Sequence, residues 1–471
     1  MILTVVLAYF AVLFAISRLT ARQADNETFY RANRRAPWYM VAFGMVGASI
    51  SGITFVSVPG MVLTSQMTYL QMCMGFILGY VTIAFVLLPL YYRLNLTSIY
   101  SYLGQRFGGR SYTTGACFFL LSKMTGAAVR FFVVCIILQQ FVFDAVGIPF
   151  AVCVLLMVLL IWLYTRRGGI GTLVFTDTFQ TLCLFTALVL IILEAVGRLH
   201  LSVGAAVAAV EASPLSRVFV FDDWVSPSNF WKQLLSGMFI AIVMTGLDQD
   251  MMQKNLTCRS LRDAQKDMCS YGLAFVPANL LFLALGVLLT MLPGSEAVAR
   301  GDELLPTFIQ ASAPAGAGGS SLLLLLFTIG IVAASFSSAD SALTSLTTCF
   351  CVDIRRRPHD ERLRKRVHMA MCLFFALFII VFREVSSTSL INAIYVLASY
   401  TYGPLLGLFA FGLFTRRPVA DRLVPFVCVA SPLACFLIDM AASSLFGYSF
   451  GYELLMLNGL LTFAGLRMTT L

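Results

Sequence analysis

Long apolar stretches alternate with short polar segments along the whole 471-residue chain. Each stretch is long enough to cross a hydrocarbon core about 30 Å thick as a helix. Thirteen predicted spans lie near residues 1–17, 38–63, 68–92, 112–142, 148–165, 173–196, 230–252, 270–293, 320–352, 367–386, 388–414, 423–444 and 449–466. The pattern predicts an all-α integral membrane protein with about 13 transmembrane helices.

The segments between these spans are short. The longest, at residues 197–229, contains an Ala-rich helical stretch and is too small for a soluble domain. The first apolar stretch has no positive residue before it and no small-residue cleavage site after it, so we interpret it as a retained span rather than a signal peptide. Residues 1–471 are therefore expected to form a single membrane domain.

Two of the predicted spans contain glycine and polar residues in their middle, the second at residues 44–52 and the seventh at residues 245–250. The two broken spans are five apart in chain order, so spans two to six and seven to eleven would form two five-helix halves. An odd number of spans per half gives the halves opposite orientations. Broken helices at matching positions of inverted halves are typical of a transporter's central site. The alternative is that glycine is simply common in membrane helices.

These halves divide the chain into four parts: an extra N-terminal helix with its loop at 1–37, a first repeat at 38–200, a second repeat at 201–415, and extra C-terminal helices at 416–471.

Composition supports a membrane location, because 59% of the residues are hydrophobic, 12% are charged and the mean hydropathy is +0.87. The formal net charge of +9 could indicate nucleic acid as a partner. However, most Lys and Arg residues fall in alternate loops, as the positive-inside rule requires, which predicts an outer N-terminus, an inner C-terminus and no nucleic-acid partner. The lipid bilayer is the expected partner, in a plasma membrane or bacterial inner membrane.

The 12 cysteines include no CxxC pair, and the three histidines, His200, His359 and His368, do not cluster. Neither a disulfide framework nor a zinc site is indicated. We find no candidate catalytic residue and expect no enzymatic activity.

The ninth span carries an unusual density of hydroxyl groups. Ser337, Ser338 and Ser341 fall at i, i+1 and i+4, which places them on one helical face beside the Ala334 carbonyl. Such hard oxygen ligands suit a hard cation, although Ser and Thr also serve simply for close helix packing. Unwinding of the second span would free further carbonyl oxygens, completing a five-oxygen sodium site. Its predicted ligands are carbonyl oxygens between Gly47 and Ile50, the Ala334 carbonyl and the hydroxyls of Ser337 and Ser338.

Asp340 lies in the same span, where a carboxylate costs about 2.5–3.5 kcal/mol near the bilayer centre, so it should face a protein interior or a wet path. Asp177, at the start of the sixth span, could lend charge to a second cation near Asp340 and Ser341. Alternatively, Asp177 is a carboxylate favoured by the positive end of its helix dipole.

Two positive residues, Lys123 and Arg130, lie seven residues apart in the fourth span and hence on one helical face. They require anions. Asp340, Asp248 or Asp250 could pair with them structurally. Arg130 could instead bind a solute carboxylate, since its guanidinium accepts one bidentately.

Hydrogen-bonding side chains in and after the first break form a candidate site for a polar solute, or else are ordinary packing residues. They are Ser49, Ser51, Thr54 and Gln71.

These features resemble the sodium/solute symporter family, which includes bacterial galactose and sialic acid transporters. The resemblance covers most of the chain and is strongest in GGIGTLVFTD at 168–177, GLDQDMMQKNLTCRSLRDAQK at 246–266 and AASFSSADSALTSLTTCFCVDI at 333–354, with GASISGITF at 47–55 a weaker fourth. It implies a LeuT-like fold of inverted five-helix repeats, with one extra N-terminal and two extra C-terminal helices.

The resemblance also implies functions for individual residues. It implies that the sodium ligands are the carbonyls of Gly47, Ile50 and Ala334 and the hydroxyls of Ser337 and Ser338. It assigns a second sodium in some relatives to Asp177, Asp340 and Ser341, and solute contacts to Ser49, Ser51, Thr54, Gln71 and an arginine of the fourth span. Aspartate at 340 in place of serine is a departure that leaves the ion stoichiometry open. A galactose-like site is disfavoured, because Ile53, Thr54 and Asp250 stand where acidic, amide and tyrosine groups would be expected.

The sequence therefore predicts a sodium-coupled symporter, with Na⁺ as coupling ion, that imports a small polar solute by alternating access. A carboxylate-bearing solute is the nearest interpretation. Three alternatives stay open: proton coupling through Asp340, a solute receptor without transport, and a membrane enzyme in which Asp248 and Asp250 form an acid/base pair. The sequence does not define the oligomeric state.

Overall fold

The computed structural model describes residues 2–21, 24–144, 147–224, 226–293, 301–311, 322–385, 388–448, 450–451 and 453–470. Over these residues the backbone is almost entirely helical, and the only β pairing among them consists of two isolated bridges, Ala36 with Cys258 and Val419 with Thr470. The prediction of an all-α protein is confirmed.

Fifteen of the helical segments are labelled here. They are α1 (Ile2–Thr20), α2 (Trp38–Ser49), α3 (Gly52–Ser65), α4 (Tyr69–Arg93), α5 (Gly109–Leu138), α6 (Phe150–Thr165), α7 (Ile170–Arg198), α8 (Phe230–Gly246), α9 (Gln249–Asn255), α10 (Leu261–Thr290), α11 (Leu322–Ile354), α12 (Glu361–Val385), α13 (Thr388–Phe414), α14 (Val424–Phe446) and α15 (Glu453–Met468).

A helix lies at each of the thirteen predicted apolar stretches. Within the described ranges, seven helices are long and apolar enough to cross a membrane on their own, or nine when each of two bent pairs is taken as one span. The apolar parts of α1 and α6 are shorter, at 10–17 residues. Met1 and residues 320–321, 386, 449 and 452 of the predicted spans lie outside the described residues.

Both predicted breaks are present as sharp bends. The axis turns by 64° between α2 and α3 and by 73° between α8 and α9. The second half of each broken helix begins at a polar N-cap: the Ser51 side chain accepts from the amide of Thr54, and the Asp248 side chain accepts from the amides of Asp250 and Met251. These caps satisfy amide groups that the bilayer could not.

Close helix approach explains two glycines at the first break. A Cβ at Gly47 would collide with the Thr181 side chain of α7, and one at Gly52 would collide with the Ser335 hydroxyl of α11. Glycine therefore lets the broken α2–α3 pair lie directly against α7 and α11.

Helix α11 occupies the centre of the molecule, and almost every side chain from Thr328 to Cys349 is buried, including its serines and threonines except the half-buried Ser338. It packs against α7, α5 and α2, and against α3 and α9, the second segments of the two broken pairs. The polar face predicted from sequence consequently lies in the protein interior rather than against lipid.

Candidate functional site

The first part of the site joins α11 to the first break. The Ser338 hydroxyl lies 2.9 Å from the Ala48 carbonyl oxygen and 3.1 Å from the Ala334 carbonyl oxygen, and it donates to these acceptors. Ala48 lies between the predicted carbonyl ligands Gly47 and Ile50. The structure therefore places Ser338, Ala334 and the end of α2 around one point, although the carbonyl in direct contact is that of Ala48.

Ser337 lies one residue earlier and turns to a different neighbour. Its hydroxyl donates to Asp177 Oδ1 on α7 at 2.8 Å. The sequence predicted Ser337 and Ser338 on a shared face beside the Ala334 carbonyl. In the structure they diverge, because consecutive residues are 100° apart around a helix and Asp177 is a stronger acceptor than a carbonyl.

Asp177 also has a positive partner that the sequence reasoning missed. The Lys254 ammonium of α9 lies 2.7 Å from Asp177 Oδ2, and the two side chains are 3% and 2% exposed. This ion pair connects the helix after the second break to α7. It places a fixed positive charge beside the carboxylate that was predicted to hold a second cation.

Asp340 lies near this pair and is fully buried. One of its oxygens, Oδ2, accepts from the Tyr164 hydroxyl at 2.6 Å. Its other oxygen and the hydroxyls of Ser341 and Thr344 have no hydrogen-bond partner among the described residues. Buried polar atoms are almost always satisfied, so these three oxygens are available to a ligand such as a cation or a water molecule.

The second break is surrounded by charge. The Lys123 ammonium of α5 lies 2.7 Å from Asp250 Oδ2 and 3.4 Å from Asp248 Oδ1. The Tyr402 hydroxyl of α13 donates to Asp248 Oδ2 at 2.7 Å. Of the three carboxylates considered as partners for Lys123, the structure therefore selects Asp248 and Asp250, whereas Asp340 bonds to Tyr164.

Arg130 lies two turns along α5 from Lys123 and is half-buried. In the part of the chain that the structure describes, it forms no ion pair. An arginine within the membrane interior needs an anion, and none of the described carboxylates supplies one.

The predicted solute-binding residues fall into two groups. Ser49 is half-buried at the end of α2, where its hydroxyl lies 2.7 Å from the hydroxyl of Tyr271, which in turn accepts from Tyr80 at 3.0 Å. Ser51 and Thr54 lie at the start of α3, with their hydroxyl oxygens 3.1 Å apart. These groups line the first break together, and their contact with a polar solute stays a prediction.

Gln71 differs from these three. Its side chain is fully buried, its Nε2 donates to the carbonyls of Ser228 and Thr68, and its Oε1 accepts from the amide of Val220. The amide is therefore occupied in holding the segment that precedes α8. A solute contact by Gln71 stays a prediction, and it would require these bonds to open.

Known proteins are similar to this chain in sequence and in fold. A family model described as the sodium:solute symporter family matches residues 29–421. The chain belongs to this family, which confirms the resemblance drawn from the motifs.

Individual relatives are more distant. The chain is 26% identical to the sodium/sialic acid symporter SiaT of Proteus mirabilis, over 87% of this chain and 83% of that protein. It is also 26% identical to the sodium/sialic acid symporter NanT of Aliivibrio fischeri, over 94% and 88%. A solved structure of a Na⁺-coupled sialic acid symporter, in a substrate-bound outward-open state, superposes with a TM-score of 0.81 at 22% identity, covering 99% of this chain and 97% of that one.

The protein is thus an integral membrane protein and a sodium-coupled symporter, with Na⁺ as its coupling ion. Its family and relatives are transporters, so the alternative of a membrane enzyme with an Asp248–Asp250 acid/base pair is not supported. The relatives carry small solutes, and a small-molecule solute is the corresponding partner here.

Several residues that contribute to the site were not singled out from the sequence. They are Lys254, Tyr164, Tyr402 and Tyr271. Lys254 gave one usable signal, because it lies four residues after the second break and just past the end of the seventh predicted span, where a buried lysine requires an anionic partner. The tyrosines gave none, since an aromatic residue in a membrane helix is usually ordinary packing.

Proposed function

We propose that this symporter imports a small polar solute bearing a carboxylate, together with sodium, by alternating access. The observation that supports the ion site most directly is the Ser338 hydroxyl, which joins α11 to the carbonyls at the break of α2. The observation that supports the solute class is Arg130, a guanidinium in the membrane interior with no ion pair among the described residues.

The proposed sodium ligands are the carbonyls of Gly47, Ile50 and Ala334 and the hydroxyls of Ser337 and Ser338. A hydroxyl that donates its proton still has lone pairs for a cation, so the bond from Ser337 to Asp177 is compatible with ligation. Oxygen ligands without a sulfur or imidazole donor suit Na⁺. The carbonyl oxygen of Ala48, which accepts from Ser338, is a further candidate ligand.

A second cation site is proposed at Asp177, Asp340 and Ser341. Of these two buried carboxylates, Asp177 pairs with the Lys254 ammonium, whereas Asp340 forms no ion pair among the described residues, so one negative charge has no positive partner. The free oxygens of Asp340 and Ser341 are the corresponding ligands. A proton on Asp340 would neutralise the same charge, which keeps proton coupling as the alternative.

The proposed solute site consists of Arg130 and the polar residues of the first break, Ser49, Ser51, Thr54 and Gln71. Arg130 would bind the carboxylate bidentately, and the hydroxyls would bind other polar groups of the solute. The sialic acid symporters among the relatives fit this class, because sialic acid carries a carboxylate.

The topology is part of the proposal. Thirteen spans, two inverted five-helix repeats at 38–200 and 201–415, an outer N-terminus and an inner C-terminus are consistent with the positions of the helices and with the bends in α2–α3 and α8–α9. In this arrangement sodium binds between the first break and α11. It favours one of the two access states, and its coupling to the solute is reciprocal.

The test is thermal stability of the purified protein with a panel of sialic acids, monocarboxylates, amino acids, sugars and vitamins, each in sodium or choline chloride at matched ionic strength. A ligand of the native state raises the melting temperature. We expect a carboxylate-bearing solute to raise the melting temperature only with sodium, and this rise to vanish in Ser338→Ala. Ser345→Ala is the control, because Ser345 lies on the same helix and bonds only to the Ala342 carbonyl; it is buried, whereas Ser338 is half-buried.

Solute stabilisation that ignores sodium and follows pH would contradict the sodium site and favour Asp340 as a proton carrier. Uptake into proteoliposomes under a sodium gradient separates transport from sensing. A protein that binds the solute and never accumulates it would be a receptor.

A further inference from the structure

A pocket of about 530 Å³ lies between the end of α1, the end of α6 and the start of α12, away from both helix breaks. The residues that matter in its lining are Trp162, Arg166, Arg167, Glu361, Arg364 and Lys365. None of them is part of the sodium or solute sites proposed above.

The lining has an excess of positive charge. Four of these side chains are arginine or lysine, and one is a carboxylate. That carboxylate, Glu361, lies 2.7 Å from the Lys365 ammonium and 3.6 Å from a terminal nitrogen of Arg364. Glu361 can neutralise about one of the four charges, so the pocket is strongly attractive to an anion.

Arg364 is the most buried of these basic side chains. Its side chain is 1% exposed, its guanidinium stacks on the Phe29 ring at 4.4 Å, and its Nε has no hydrogen-bond partner among the described residues. Its other bonds, to the carbonyls of Arg166 and Arg167, are long at 3.5 and 3.4 Å. Its ion pair with Glu361 is long, at 3.6 Å, and Glu361 also pairs with Lys365, so a second anion in the pocket would stabilise the buried guanidinium.

The depth of the pocket identifies the source of that anion. The apolar bodies of α1 and α6 end at Thr20 and Thr165, and that of α12 follows Glu361, so the pocket lies where three helices leave the hydrocarbon region. Trp162 lies at its edge beneath the Arg166 guanidinium, at 4.9 Å, as is usual for tryptophan at the headgroup level.

We propose that this pocket binds the phosphate of an anionic phospholipid headgroup. Arginine pairs bind phosphate oxygens bidentately, and basic pockets between membrane helices at this depth suit such headgroups. The lipid's acyl chains would extend along the apolar surfaces of α6 and α12. The site would tie the start of α12 to the ends of α1 and α6.

The experiment uses the full-length protein purified in a neutral detergent, with phosphatidylglycerol and phosphatidylcholine of identical acyl chains as probes, and inorganic phosphate at matched ionic strength as a third. Native mass spectrometry counts retained lipid and a melting curve measures stabilisation. The pocket variant carries Arg166→Gln, Arg167→Gln and Lys365→Gln, all exposed residues. The control variant carries Arg355→Gln, Arg362→Gln and Arg366→Gln, which removes the same charge from exposed residues outside the pocket.

We expect the wild-type protein and the control variant to retain one phosphatidylglycerol with similar affinity, and the pocket variant to bind it about tenfold or more weakly. Equal retention of phosphatidylglycerol and phosphatidylcholine, or equal losses in the two variants, would overturn the proposal. Stabilisation by inorganic phosphate as large as that by phosphatidylglycerol would overturn the assignment to lipid. These readouts need neither sodium nor solute, so they are independent of the proposed transport function.

Discussion

The two helix breaks have the same geometry and opposite chemistry. Both bend the chain by more than 60°, and in both the second half-helix starts at a side-chain cap. At the first break the cap is the neutral Ser51, and the neighbouring groups are hydroxyls and carbonyls. At the second break the cap is the carboxylate Asp248, which also contacts the Lys123 ammonium and accepts from the Tyr402 hydroxyl.

This difference suggests a division of labour. Neutral oxygen ligands can exchange a hydrogen bond for a cation or a solute at small cost, because net hydrogen-bond energies are only about 0.5–1.5 kcal/mol. Buried ion pairs cannot be opened so cheaply, since separating the partners leaves uncompensated charge. We therefore interpret the first break as the binding element and the second as a fixed anchor between α5, α9 and α13.

The largest expected effect comes from removing the charge that holds the second break. Lys123→Met leaves Asp248 and Asp250 buried without their ammonium, and breaking a buried pair in this way costs about 3–5 kcal/mol. We expect a large fall in melting temperature in both sodium and choline. Adding Asp250→Asn to Lys123→Met should recover part of the loss. Unchanged stability in the single variant would show that the second break is not an anchor.

A somewhat smaller effect is expected at Lys254, where the ammonium neutralises one of two buried carboxylates. Lys254→Met should lower stability in choline, and sodium should restore more stability than it does in the wild-type protein, because the cluster of Asp177 and Asp340 then carries more uncompensated negative charge. The measurement is the melting temperature as a function of sodium concentration.

Lys254→Arg keeps the positive charge and serves as the control, with a sodium response like that of the wild-type protein. If the methionine variant responds to sodium no more strongly than the arginine variant, Asp177 and Asp340 do not form a cation site.

Much of this arrangement follows from the sequence, and the reasons for the rest are physical. The apolar stretches and both breaks were predictable, because membrane helices need uninterrupted apolar residues and glycine with polar residues marks an exception. The charged residues at membrane depth, Lys123 and Asp248, were predictable as needing partners, but not which partners.

Partner choice depends on how helices distant in the chain pack together. Asp340 could have paired with Lys123 from sequence alone, and in the structure it accepts from Tyr164 instead. Likewise, the polar Gln71 near the first break was expected to contact the solute, and the structure shows its amide bonded to the backbone of the segment before α8. Spacing along one helix defines a face, whereas the neighbour of that face is set by tertiary structure.

An intermediate effect is expected at Arg130, which tests the assignment of solute binding to the membrane interior near the first break. Arg130→Gln should weaken binding of a carboxylate-bearing solute by about 1.5–3 kcal/mol, the usual value of a hydrogen bond to a charged group. Stabilisation by sodium alone should be unchanged, because Arg130 is not one of the proposed sodium ligands. Isothermal titration of the solute in saturating sodium measures the difference.

Thr125→Val is a suitable control on the same helix, because Thr125 is half-buried, as Arg130 is, and its hydroxyl bonds only to the local carbonyls of Leu121 and Ser122. Equal solute affinity in wild-type protein and Arg130→Gln would show that Arg130 does not bind the solute. Either another basic residue would then bind the solute carboxylate, or the solute would have none.

The smallest effect concerns the caps themselves and compares the two breaks directly. Ser51→Ala removes a neutral cap and should cost about 0.5–2 kcal/mol, whereas Asp248→Asn keeps the capping oxygen but leaves Lys123 with one carboxylate fewer. We expect Asp248→Asn to lower the melting temperature more than Ser51→Ala, and Ser51→Ala to lower solute affinity more than Asp248→Asn. The two readouts together separate anchoring from binding. If Ser51→Ala proves the more destabilising change and leaves solute affinity intact, the first break is the structural one and the division of labour between the breaks is reversed.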